Sequence, residues 1–507
     1  MGKLAVAAVV ILWVVPISIL VNRTVPEPYM DEIFHVPQAQ QYCQGNFSSW
    51  NPMITTPPGL YYLSLAYVAT LFPGMFFLQA ASSFSEACSP AMLRFTNSIL
   101  VVLCSVLVFE IITHLRPVLS DKKATFIAVI TAMYPLHWFF TFLYYTDVAS
   151  LTAVLAMYLA CLKKKYKFSA LLGALAVFIR QTNIIWMLFV LCTKVINISL
   201  GHQRDSMKDD ESIEKTNQIN PKNSVIMSSN LRKRKSNGNA DIHKRARPRA
   251  ISVSMAPKPG LFDEILAVIL TSWRMKWELL LTFGPFFIVL MAFAGFVIWN
   301  GGIVLGAKEA HVVSPHFAQI MYFGLVSALA VAPLHFNIIQ ARDLFRSFWK
   351  NRPNSLLLCV IALIAGFLAV HFFSIAHPYL LADNRHYTFY LWRKVINADQ
   401  SRKYLFVPLY VYSWFSILNL LGKTRRKVWV LVFFLANVAV LVPAPLIEFR
   451  YYTIPFFLSV LHYDINSYRS WLLIGILYIV VNAFTMMMFL YRPFHWSHEL
   501  GVQRFIW

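Results

Sequence analysis

Eleven stretches of this chain, 4–21, 95–113, 124–142, 147–162, 184–200, 278–299, 317–334, 355–376, 404–421, 428–443 and 470–490, each carry at most one acidic or basic residue. A helix needs about 20 mostly apolar residues to cross the hydrocarbon core of a bilayer. Backbone groups find no water there, so such stretches read as helices. Two weaker candidates, the short 168–182 and the Pro455-containing 449–463, bring the count to 12 or 13. The expected fold class is an all-α polytopic membrane protein. Composition agrees, with 58% of 507 residues hydrophobic and 13% charged, against about a quarter charged in a soluble domain. A soluble enzyme is excluded because such a surface could not be kept wet. A disordered chain would lack so much Phe, Leu and Val. The stretch after Lys3 has no small-residue cleavage site before Asn22, so it reads as a retained helix.

The formal net charge is +22. In a multispan protein that excess marks cytoplasmic loops rather than a nucleic-acid partner. Segment 59–80 would pass for a span, and it decides the topology. If it crosses, the basic clusters at 163–165, after 200 and at 423–427 fall on the non-cytosolic side. If it lies flat, they fall in the cytosol together with those at 116–123 and 342–352. The flat reading is adopted, and Pro57-Pro58-Gly59 and Pro73-Gly74 suit a broken interfacial helix. The non-cytosolic side then receives 22–94, a tip at 143–146, 180–183, 300–316, 377–403 and 443–450.

The expected organisation is an N-terminal membrane module, 1–200, with its first outer loop at 22–94. A basic cytosolic segment, 201–277, and a C-terminal membrane module, 278–507, follow. Stretch 201–260 holds 13 Lys and Arg against 6 Asp and Glu, with no apolar period. It reads as a solvated, largely disordered loop near anionic lipid, followed by a short helix on the cytosolic face at 261–273. The six cysteines show no metal-ligand spacing. Cys43 and Cys88 share the outer loop, which leaves a disulfide between them open.

Charged groups at a membrane edge are costly and need a reason. Residues 26–62 pair Asp31 with Glu32 and set His35 and Gln38 at helical spacing after Asp31, near Tyr29. Such groups line sugar sites. Residues 377–394 put Arg385 and His386 among Tyr379, Tyr387, Tyr390 and Trp392. Arginine forks bind phosphate bidentately. Arg450, Arg180 and the loop 306–317 with His311 and His316 add further outer-face polar groups. Histidines five apart suggest no metal site. One physical plan fits: a carboxylate acts as base while Arg and His groups hold a lipid phosphate. A transporter explains the spans equally well, but not the gathering of acids, Tyr and His in outer loops.

MDEIFHVPQAQQYC at 30–43, RQTN at 180–183, LLADNRHYTFYLWRK at 380–394 and EFRYYTIPF at 448–456 carry a resemblance. They resemble the endoplasmic-reticulum α-1,2-glucosyltransferases that add the last glucose to the lipid-linked oligosaccharide. The resemblance covers nearly all of the chain outside 201–277. It implies an integral-membrane (GT-C type) glycosyltransferase architecture with a lumenal interfacial helix and the site in the first lumenal loop. It implies a dolichyl-phosphate glucose donor, a dolichyl-diphosphate oligosaccharide acceptor, the lipid bilayer as surroundings and no cofactor. One departure stands out: Gly306-Ala307-Lys308 occupies a run where the family has an acid. This shifts weight to Asp31 and Glu32.

The implied reaction takes glucose from a β-linked phosphate to an α linkage. It therefore inverts, and needs a general base but no nucleophilic residue. The assigned catalytic residues are Asp31 first and Glu32 second. Donor-phosphate contacts are assigned to Arg385, His386, Arg450 and Arg180. Substrate contacts are assigned to His35, Gln38, Tyr29, His311 and Tyr387. A sister enzyme with a mannosyl donor is the nearest alternative.

Overall fold

The computed structural model describes residues 1–217, 260–350, 352–399, 401–464, 467–497 and 501–507. Among them, β-structure is confined to two isolated bridges, His386 with Ile506 and Phe494 with Gln503. The helices begin with α1 (Gly2–Thr24), α2 (Glu32–Cys43), α3 (Gly59–Phe77), α4 (Phe84–Ala87) and α5 (Pro90–Leu115). Next come α6 (Asp121–Ala132), α7 (Pro135–Phe140), α8 (Thr146–Leu162), α9 (Tyr166–Ile179) and α10 (Asn183–Asn217). The middle holds α11 (Leu261–Arg274), α12 (Lys276–Asn300), α13 (Ala318–Ala330), α14 (Ala332–His335), α15 (Ile338–Lys350) and α16 (Arg352–Phe372). The last are α17 (Pro378–Ala382), α18 (Tyr387–Leu391), α19 (Arg402–Leu405), α20 (Val407–Thr424), α21 (Lys427–Leu441), α22 (Thr453–His462) and α23 (Tyr468–Tyr491).

Among the described residues, eight helices are long and apolar enough to cross a membrane: α1, α3, α5, the Asn183–Gly201 part of α10, α12, α16, Arg402–Thr424 and α23. Shorter apolar helices, α8, α9, α13 and α21, lie among them. The chain is thus an all-α, multi-pass membrane protein. Stretch 124–142 forms two helices, because Pro135 cannot continue α6 and instead opens α7. Segment 59–77 stays one helix through Pro73, where a break was expected. Helix α10 runs to Asn217, beyond the expected boundary at 200. Most of the basic stretch 201–260 lies outside the described residues.

The chain forms two compact units, Met1–Lys194 with Trp277–Trp507, and Val195–Lys276. In the second, Ser199 and Ser272 hydroxyls meet at 3.1 Å. The first carries the candidate site and has two distinguishable ends. At one end Glu110 of α5 pairs with Lys3 of α1 and Lys163 after α8. At the other, Arg94 in the first turns of α5 reaches Asn22 near the end of α1. Ser89 starts α5 by accepting the Met92 N–H, and Pro90 follows at the first helical position, where no N–H is needed.

Residues 25–89 leave and rejoin the α1–α5 hairpin at the Arg94 end. The excursion contains one long apolar helix, α3. A single crossing would bring the chain back at the wrong end, so α3 does not carry it across. The Cys43–Cys88 disulfide ties the excursion together, with 6.6 Å between Cα atoms. Phe76, Phe77 and Leu78 stay exposed at the end of α3, as suits a helix that lies along lipid. Segment 449–463 runs from one end of the larger unit to the other. Arg450 sits at the Arg94 end, whereas Arg116, just past the far end of α5, donates to the Leu461 and Tyr463 carbonyls. Helix α23 then returns, which puts residues 501–507 at the Arg94 end.

Candidate active site

Helix α1 ends at Thr24, and Met30 takes a left-handed φ of 57° to turn the chain into α2. Asp31 stands at the N-cap of α2 but caps nothing with its side chain. Its Oδ2 instead accepts from Arg450 Nη1 at 2.9 Å. The carboxylate keeps 39% of its surface accessible although protein surrounds it. It therefore faces a recess rather than the core. Burial acts to raise its pKa. The Arg450 guanidinium outweighs burial and holds the carboxyl below its ordinary range.

Glu32 has the opposite environment. It is fully buried. Arg94 Nε and Nη2 take its two oxygens at 2.8 and 2.6 Å, and the Tyr29 and Tyr144 N–H groups donate to them at 3.0 and 2.5 Å. A carboxylate enclosed by four donors has no route to a substrate proton. Its assignment as a second catalytic group gives way to a bracing role between α2, α5 and the 143–145 tip.

Arg450 lies in a short 3-10 turn, Phe449–Tyr452, and also pairs with Glu448. Its guanidinium sits over the Tyr145 ring at 5.4 Å. Burial works against its charge, but Glu448 and Asp31 more than offset this and raise its pKa. Asp147, in the first turn of α8, joins the cluster from the other side. One oxygen binds Arg180 Nη1, while the second lies 3.9 Å from Arg450 Nη1, buried and without a hydrogen bond. Arg180 also sits over the Tyr451 ring. The cluster thus holds three carboxylates and two guanidinium groups. Asp147 was not picked out from the sequence. An acid heading an apolar run looks like a partner for the helix dipole, and only the fold brings it to Arg180 and Arg450.

His35 Nδ1 meets the Tyr61 hydroxyl at 2.6 Å. Burial pushes its pKa down to about 4, so the ring is neutral. Gln38 is buried. Its amide donates to the Ser49 carbonyl at 2.7 Å and accepts from the Asn51 N–H at 2.8 Å. Gln38 therefore shapes the first loop and does not open onto the recess with Asp31. The loop near 306 docks on that same loop, with the Ala307 N–H 2.9 Å from the Pro52 carbonyl. A Cβ at Gly306 would lie 2.2 Å from that oxygen, which is why glycine stands there. His311 belongs to the 3-10 turn Lys308–His311, and its side chain lies outside the described residues.

A second wall holds Arg385, His386 and Tyr387. Arg385 forks onto Asp383 at 2.9 and 2.8 Å and stacks over Trp496. His386 Nε2 is 3.8 Å from Asp383 Oδ2. The charge of a protonated His386 reaches Asp31, so the two walls share one electrostatic neighbourhood. Tyr387 stacks on Phe505 and meets Trp507 edge-on. The Tyr29 hydroxyl donates to the Arg504 carbonyl at 2.7 Å. Burial pushes the Tyr29 pKa up to about 12, so it stays protonated. The residues assigned from sequence therefore fall into two groups: Asp31, His35, Arg180 and Arg450, and then Arg385, His386, Tyr387 and Tyr29. The tail segment that joins the second group was not foreseen.

A profile of the DIE2/ALG10 family matches residues 25–461. The chain belongs to that family. An Arabidopsis thaliana protein named Dol-P-Glc:Glc(2)Man(9)GlcNAc(2)-PP-Dol alpha-1,2-glucosyltransferase is 62% identical over 510 residues, covering 100% of both chains. A human protein of the same name is 34% identical over 495 residues, covering 96% of this chain and 94% of its own. One from Yarrowia lipolytica is 30% identical with the same coverage. No solved structure matches. Both walls of the site contain the segments that carried the resemblance, 30–43 and 448–456 on one, 380–394 on the other. The fold gathers these three segments at a single end of the larger unit.

Proposed function

We propose that this chain transfers glucose from dolichyl-phosphate glucose, in α-1,2 linkage, to the diglucosylated dolichyl-diphosphate oligosaccharide. The reaction is inverting and takes place on the lumenal face of the endoplasmic-reticulum membrane. The names of the full-length relatives support the substrates. The observation that carries the site reading is the Asp31–Arg450 pair: an accessible carboxylate held against a guanidinium at one end of the bundle.

Inversion requires one in-line attack. The acceptor hydroxyl oxygen bonds to the anomeric carbon as the carbon–phosphate oxygen bond breaks. Asp31 takes the hydroxyl proton, and the electron pair leaves with the dolichyl phosphate. An aspartate held below its usual range is ionised at neutral pH but is a weak base. A donor phosphate that draws Arg450 toward itself weakens the hold on Asp31 and raises its basicity at the moment of transfer. Arg450, Arg385 and His386 then face the charge that builds on the leaving phosphate. Arg180 is engaged by Asp147 and acts through it to keep Arg450 in place. Tyr29 and Tyr387 serve as walls.

The test is transfer by detergent-purified protein with dolichyl-phosphate glucose, dolichyl-phosphate mannose as the competing donor, and saturating acceptor. Glucose alone should be transferred. Asp31→Asn should fold, bind donor and lose at least about a hundred-fold in turnover. Parent-level turnover in Asp31→Asn removes it from the mechanism.

A further inference from the structure

After α23 the chain returns to the two walls as residues 501–507. Phe494 and Gln503 exchange backbone hydrogen bonds at 2.9 and 2.7 Å, which closes a hairpin. Arg504 anchors the returning strand. Its guanidinium donates to the Phe489 and Leu490 carbonyls at 2.8 and 2.9 Å, near the end of α23 where helical partners run out. The Tyr29 hydroxyl joins it to the first loop, accepting the Arg504 N–H at 2.7 Å.

The strand reaches the second wall through three residues, Gln503, Ile506 and Trp507. Gln503 Oε1 accepts from Arg385 Nη1 at 3.0 Å. The Ile506 N–H donates to the Arg385 carbonyl at 2.9 Å, and the Tyr387 N–H donates to the Ile506 carbonyl at 3.0 Å. The Trp507 oxygen lies 2.9 Å from His386 Nδ1. That oxygen only accepts, so in this contact Nδ1 carries the proton. The Trp507 ring also meets Phe449, the neighbour of Arg450 on the first wall.

We propose that residues 503–507 are a positioning element for the donor-phosphate site. They hold the Arg385 fork and the His386 ring in register with Arg450, although none of them takes part in bond making. This rests on the reading of Arg385 and His386 as phosphate contacts. Arg504 is the residue whose loss disconnects the element without touching either wall's charged groups.

The experiment compares full-length parent, Arg504→Ala, Arg504→Lys and Gln503→Ala in detergent. Two readouts are taken: hydrogen exchange of residues 383–390, and donor KM and kcat with dolichyl-phosphate glucose. In Arg504→Ala, exchange at 383–390 should quicken and donor KM should rise about ten-fold, the scale on which supporting contacts act. Its kcat at saturating donor should stay within a few-fold. Arg504→Lys should recover part of the loss. Gln503→Ala, which removes only the contact to Arg385, should raise donor KM less. It also serves if Arg504→Ala does not accumulate. Unchanged exchange at 383–390 in both alanine variants overturns the positioning role. Quickened exchange with unchanged donor KM overturns the phosphate reading beneath it.

Discussion

Removing the Glu32 charge leaves the Arg94 guanidinium buried without a counter-ion. Breaking such a pair from one side costs about 3–5 kcal/mol. Glu32→Gln should therefore lower the thermal midpoint of the purified protein far more than Asp31→Asn, whose carboxylate is part exposed. Thermal unfolding of the two variants beside the parent checks this, and equal midpoints would contradict the bracing role. The pH behaviour of the site follows from the same environments. His35 has a folded pKa of about 4 against ~6.5 unfolded. The unfolded chain therefore binds the proton first, and stability falls as pH drops through that window. Asp31 is shifted the other way relative to charge: its contribution holds above ~3.9 and fades only as pH falls through its lower folded value. The acid limb of the transfer rate should thus lie below pH ~5, well under the ordinary histidine range. A pH–rate profile centred near 6.5 would implicate a titrating imidazole instead. Asp31 was legible in the sequence because a charged pair after a span is unusual. Its separation from Glu32 was legible only as geometry, since adjacent helical side chains diverge. That Arg94 would take Glu32 was not, because an arginine heading a long apolar helix looks like an interfacial anchor.

Helix α2 is fastened at both ends, to α5 by Glu32–Arg94 at the start and to the C-cap of α4, just ahead of α5, by Cys43–Cys88 at the finish. These two fastenings explain how a 12-residue helix with an internal Pro37 can hold Asp31 at a fixed place. Closing a loop of 45 residues stabilises by up to about 4 kcal/mol on the chain-entropy account. Cys43→Ser with Cys88→Ser should lower the thermal midpoint, and a reductant should do the same to the parent while leaving the double variant unmoved. A reductant that shifts both alike would show the effect comes from elsewhere. At this scale the spans were the most readable feature, because lipid enforces one pattern of about 20 apolar residues. Boundaries were less so. The break between α6 and α7 hung on Pro135, whereas Pro73 left α3 unbroken, so proline alone did not decide. The disulfide could be named as an option from the two cysteines sharing a loop; choosing it took the packing of Cys43 and Cys88 in one apolar cluster with Val68, Ala81 and Ala87.

The two ends of the larger unit imply a topology that can be measured. Lys3, Glu110 and Lys163 meet at one end, and Arg116 binds the Leu461 and Tyr463 carbonyls there, just past the end of α5. Asp31, Asp147, Arg180 and Arg450 meet at the other, together with residues 501–507. Basic residues favour the cytosolic face, and the first end carries Lys163, Lys164, Lys165 and Arg116. On the proposed reading the second end is the lumenal one. The sequence left the side of residues 492–507 open, because it turned on whether 449–463 crosses. That segment is short and contains Pro455, so hydropathy could not decide it. The structure runs it from Arg450 at one end to Tyr463 at the other, stacked on buried aromatic rings such as Tyr134 against Phe456. Single cysteines introduced at Ser82 and Gly501 should therefore both react with an impermeant maleimide only after sealed microsomes are opened. One at Lys164 should react in intact microsomes. Ser82 and Gly501 test different links: the first asks whether α3 stays on one face, the second whether 449–463 and α23 both cross. Labelling of position 82 from the cytosol would undo the assignment of Asp31 to the lumenal face. Labelling of position 501 from the cytosol would leave Asp31 in place but separate residues 503–507 from the wall they are held to support.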